Sequence, residues 1–130
     1  MKAKLKEILY DIPQDFLLEI IDILCVKNKH LENEIEMILA PSKVKYAQSY
    51  YNRMVKTAID TNSWSHFPNK GIVGLEDSIK KMEALKLAKN PIEADKIKVA
   101  INGVIERCLN KYNNQNQDKL DEIYAKINKD

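Results

Sequence analysis

Two thiols and two imidazoles, Cys25, Cys108, His30 and His66, are the side chains whose chemistry would be hardest to replace in this 130-residue chain. Cys25 with His30, or Cys108 with His66, could in principle form a nucleophile and base or two corners of a zinc site. Their spacing supports neither. Each cysteine falls on an apolar helical stripe, where a free thiol acts as a small hydrophobe, so both are expected to be buried and reduced. The acidic stretches "LENEIEMI" and "DKLDEI" offer paired carboxylates. In the first, Glu32 and Glu36 lie one turn apart and are read as a solvated face opposite Ile35 and Leu39. No glycine-rich phosphate loop, HExxH pair or nucleophile elbow is present, so neither an enzyme nor a bound cofactor is expected.

The stretch "DTNSWSHFPNKGIVGL", residues 60 to 75, concentrates the sole Trp, one His, one Phe and two of the three glycines. Two readings stand. Trp64, His66 and Phe67 can fold back as a joint between helical groups, with Gly71 or Gly74 at positive φ. Alternatively they stand exposed as an anchor for a protein partner.

Charge is close to balanced, 21 basic against 19 acidic residues, too even for a protein held to nucleic acid mainly by phosphate neutralisation. Its distribution is less even. Residues 1–42 carry five Lys against eight acids, and residues 43–90 carry nine Lys or Arg against four. Within that basic middle third, Lys43, Lys45, Arg53, Lys56, Lys80 and Lys81, with Lys86 and Lys89, would form a phosphate-contacting surface if the helices bearing them pack side by side. Tyr46, Tyr50 and Trp64 are the aromatics available for stacking on bases.

The elements that must position these residues are helices. Leu5, Ile8, Leu9 and Ile12 mark a first short helix that stops before Pro13. Phe16, Leu17, Ile20, Ile21 and Leu24 give the second a wide apolar stripe, which predicts that it is the most buried. Leu31, Ile35, Ile38 and Leu39 mark a third. Ser42 is a candidate cap for a fourth that carries Val44 to Ile59, and a fifth spans roughly 73–89. Asn90 is placed to cap the sixth, whose stripe of Ile97, Ile101, Val104, Ile105 and Cys108 contains Gly103, read as a close helix crossing. Leu120, Ile123 and Ile127 mark the seventh. No strand-like alternation or hairpin turn interrupts this pattern.

The expected fold is therefore all-α: six to seven helices in an irregular bundle or a short stack of helical hairpins. A single domain over residues 1–130 is expected, with a joint at about 60–74. No segment approaches the ~20 apolar residues of a membrane span, and no export signal is seen, so a cytoplasmic protein without membrane partners is expected. The abundance of Lys, Asn and Ile suits a bacterial or phage setting.

The opening "LKEILYDIPQDFLLEIIDIL", the aromatic loop and "LEDSIKKMEALKLAKNPIEADKIKVAINGVIERCL" together resemble the helical region that accompanies SWIM zinc-finger proteins, and related small bacterial helical proteins. The finger's own cysteine and histidine pattern is absent. The resemblance implies a helical adaptor and transfers no functional residue. The leading expectation is a non-enzymatic helical interaction module that binds a protein partner as an adaptor or inhibitor-like accessory protein. The alternative is a nucleic-acid-associated module using the basic middle third.

Overall fold

Proline and asparagine punctuate the chain, and the helices follow that punctuation. In a computed structural model, residues 1–59, 69–111 and 116–129 are described, with residues 109–111 by their backbone alone. Among the described residues there are seven helices and no strand: α1 (Ala3–Tyr10), α2 (Gln14–Lys27), α3 (Lys29–Leu39), α4 (Gln48–Ile59), α5 (Asn69–Leu87), α6 (Pro91–Lys111) and α7 (Gln117–Ile127). The all-α expectation holds.

Local chemistry sets several of the ends. Pro13 stands immediately before α2, with Asp15 in its first turn, where a carboxylate complements the exposed amides. The Asn28 side chain accepts from the His30 amide at 3.1 Å and so caps α3. Pro91 opens α6, and the Asn90 carbonyl takes the first helical bond from the Ala94 amide. The end of α5 is a Schellman turn: the Asn90 amide bonds Leu85 O at 2.9 Å and the Lys89 amide bonds Lys86 O at 3.0 Å. Lys89 occupies the left-handed position of that turn, φ 62°, which glycine usually fills.

The chain divides into two compact units, Met1–Ala40 and Pro41–Asp130. The boundary between them falls after Ala40. Of the expected joint, residues 60–68 lie outside the described residues, and Asn69 to Gly74 belong to α5.

In the second unit α4, α5 and α6 pack mutually, and α7 covers α6 and α5. Tyr51, Val55, Leu75, Leu85, Ile97, Ile101 and Ile105 are fully buried between them. Each such aliphatic side chain withdraws enough surface to stabilise the fold by roughly 1.5–3 kcal/mol. Gly74 is buried where α5 meets the end of α4, because a Cβ there would collide with the Ala58 carbonyl group, 2.7 Å from its carbon and 3.0 Å from Ile59 N.

This corrects the sequence reading of the glycines. The close crossing is at Gly74, whereas a Cβ at Gly103 meets nothing within 4 Å. Gly71 and Gly74 are helical, with no positive φ at any described glycine. Helix α4 also begins later than expected. Residues 41–43 form a turn, so Ser42 does not cap it, and residues 44–47 run without regular structure into Gln48.

In the first unit α2 packs against α3. None of its three helices has a buried residue, which overturns the expectation that α2 is the most buried element. Forty residues enclose too little volume to hide the side chains that α2 carries. Cys25 accordingly is half-buried, while Cys108, in the second unit, is buried as expected.

Candidate functional site

Eight of the nine apolar residues of α2 cover about 220° of its circumference at 100° per residue, from Ile23 and Phe16 round to Cys25 and Leu18, and Val26 falls outside that arc between Asp22 and Glu19. One partner helix cannot cover so wide an arc. Ile20, Ile21 and Cys25 are half-buried, while Phe16, Leu18, Ile23 and Val26 remain exposed, Val26 at 78%. Ile38 and Leu39 at the end of α3 are each 77% exposed. Eleven large apolar side chains are exposed in the first unit, against four among the described residues of the second.

Part of this surface is a groove of about 770 Å³ between α2 and α3. Its apolar lining is Leu18, Ile21, Cys25, Val26 and Ile35, and its charged lining is Glu19 and Asp22 from α2, Glu32 and Glu36 from α3, and Lys29 at the start of α3. Glu32 and Glu36 are exposed, as read from sequence, but they line the same groove as Ile35 instead of facing away from it. Glu32 and Ile35 are three residues apart, about 60° round the helix, so these two side chains share one flank of α3.

A second polar arrangement is buried in the other unit. Glu93, in the first turn of α6 and 2% exposed, accepts from the Tyr46 amide at 2.6 Å and the Tyr51 hydroxyl at 2.9 Å through Oε1. Its Oε2 pairs with Lys96 Nζ at 2.7 Å, and Lys96 also donates to Tyr46 O at 2.7 Å. Gln48 Nε2 donates to Lys96 O at 2.7 Å, and the Asn90 amide group donates to Pro41 O and Val44 O. Together these bonds fasten the irregular segment 41–47 to the start of α6. Burial by itself would raise the Glu93 carboxyl, but the bonds from Lys96, the Tyr46 amide and Tyr51 outweigh it and hold Glu93 below the usual carboxylate range. Burial, then the hydrogen bond to Glu93 and its charge, push the Tyr51 phenol well above its ordinary value. Both carboxylate oxygens of Glu93 are engaged by structural partners, which suits a clasp.

The candidates read from sequence are scattered. Trp64, His66 and Phe67 lie outside the described residues. Lys43, Lys45, Arg53, Lys56, Lys80 and Lys81 are all exposed, the first two on segment 41–47, the next two on α4 and the last two on α5. Lys80 borders a mixed-charge groove between α5 and α7, among Glu76, Glu83, Lys119, Glu122 and Lys126, where neighbouring carboxylates dilute its field. Tyr46 and Tyr50 meet at a tilt of 42° with ring centroids 4.6 Å apart, and Tyr50 meets Tyr51 edge-on at 5.4 Å. Their rings are engaged with each other beside the Glu93 clasp.

Sequence reasoning missed the α2–α3 groove and the clasp. The signal for the first was available in the width of the α2 arc, taken with the shortness of the helices around it. For the second, the spacing of Glu93 and Lys96 just after Pro91 hints at a pair, but nothing local connects it to Tyr51. Comparisons with protein-family models, with curated proteins and with solved structures return no match, so the resemblance to the SWIM-associated helical region finds no counterpart there.

Proposed function

We propose that this chain is a non-enzymatic helical interaction module that binds a protein partner through its α1–α3 unit. The observation that carries the reading is the unburied apolar surface of that unit: no residue of its three helices is buried, and its exposed side chains include Phe16, Leu18, Ile23, Val26, Ile38 and Leu39. Exposed apolar side chains in this number on a unit of forty residues point to an interaction site. The same chain supplies a well-packed four-helix unit, α4–α7, whose buried polar groups are satisfied among the described residues. An adaptor role, as the SWIM-associated resemblance implies, agrees with this surface.

The test uses the intact chain as bait in its native cell, beside a variant carrying Ile23→Lys and Val26→Lys. The expected result is a specific partner whose capture falls at least tenfold with the variant while the thermal unfolding of α4–α7 is unchanged. Undiminished capture by the variant, or binding confined to DNA or RNA with steep salt dependence, would overturn the reading.

A further inference from the structure

We propose that the groove between α2 and α3 receives a cationic amphipathic helix of the partner protein, one whose apolar face is flanked by Lys or Arg. This rests on the protein-binding reading above and adds the kind of segment that is bound.

The form of the occupant follows from what the groove offers. Its walls are two helices, whose backbone groups are spent on their own internal bonds, so there is no strand edge to pair with. An extended peptide lying on Leu18, Ile21, Val26 and Ile35 would leave its own amides and carbonyls facing apolar side chains. A helix satisfies its backbone internally and presents side chains at three- and four-residue steps. The α2 wall runs from Leu18 to Val26, about 12 Å at 1.5 Å per residue, which matches two to three turns of such a helix.

The sign of its charge follows from the charged lining. Among the lining residues Glu19, Asp22, Glu32 and Glu36 outnumber the one ammonium, Lys29, with acids on both walls. Lys or Arg on either side of an apolar stripe would meet them from above, and the long stems of those residues would extend the apolar contact. Nucleic acid, an anionic lipid surface or an acidic helix would meet like charge. So would a second copy of this chain in a two-fold arrangement, because each groove would set its four carboxylates against the other's.

Cys25 provides a built-in reporter, since it lines the groove and is half-exposed, whereas Cys108 is buried elsewhere. The intact chain is titrated with two 16-residue helical peptides sharing one leucine stripe, one flanked by Lys and the other by Glu. The Lys peptide is expected to bind at least tenfold more tightly, to lose that advantage as salt is raised, and to slow alkylation of Cys25 at least tenfold at saturation. Reversing these charges with Glu19→Lys, Asp22→Lys and Glu32→Lys, in a variant of unchanged helicity, is expected to transfer the preference to the Glu peptide. Equal binding of both peptides with Cys25 protected would overturn the charge selection and leave the protein-binding reading standing. Binding without protection of Cys25, or no binding of either peptide, would overturn the groove as the helix site, and the bait experiment would then decide the broader reading separately. Protection of Cys25 by concentration-dependent dimerisation without peptide would overturn the proposal in favour of a second copy.

Discussion

The Tyr51 hydroxyl donates to Glu93 Oε1 across 2.9 Å, joining the first turn of α4 to the first turn of α6 over 42 residues of sequence. Both groups titrate away from their ordinary values, in opposite directions, and this gives the second unit a stability plateau with two edges. Glu93 is held below the usual carboxylate range, so its contribution is complete above an unfolded-state value near ~4.3 and is lost as pH falls below it. Tyr51 is raised, so its contribution is complete below about pH 10 and is lost as pH climbs beyond. Urea denaturation across pH should show both edges. Glu93→Gln should lower stability by about 1–3 kcal/mol at pH 7 and flatten the acid edge, because the charged partner of Lys96 is gone.

The glycines separate local propensity from packing. Gly74→Ala should destabilise by about 2 kcal/mol or more, since its methyl group would enter the backbone of α4 at Ala58, which cannot rotate aside. Gly103→Ala should instead stabilise by about 0.5–1 kcal/mol, through helix propensity alone, because its Cβ has open space. Thermal melts of the two variants should move in opposite directions.

Lys89 closes α5 at φ 62° in a position where a β-carbon is strained. Lys89→Gly should raise stability by about 1 kcal/mol, provided the Schellman bonds of Lys89 and Asn90 are retained. An unchanged or lower denaturation midpoint would show that the Lys89 side chain contributes more than its backbone strain costs.

Two carboxylate insertions distinguish the units. Ile101 is fully buried, so Ile101→Asp should cost several kcal/mol by placing an unpaired charge in the core. Leu24 lies on the apolar stripe of α2 but is 47% exposed, so Leu24→Asp should cost about 1 kcal/mol or less. Chemical denaturation followed by circular dichroism checks both.

The sequence by itself determined the helical class and most of the boundaries, because both depend on neighbours three or four residues away. The break at Pro13, the start at Pro91 and the buried stripe from Ile97 to Cys108 were all legible in that way. What surrounds a stripe was not legible. The wide arc of α2 and the stripe of α6 look alike as periodicity, yet α6 is enclosed by α4, α5 and α7, while α2, in a unit of forty residues, leaves Ile23 and Val26 in solvent. The same holds for Gly74 against Gly103 and for Glu93 against Glu32. Each pair shares a residue type in a helix, and only the approach of a distant backbone or hydroxyl makes one member a contact and leaves the other open to water. Burial is a property of the volume around a side chain, and tertiary packing decides which distant parts of the chain fill it.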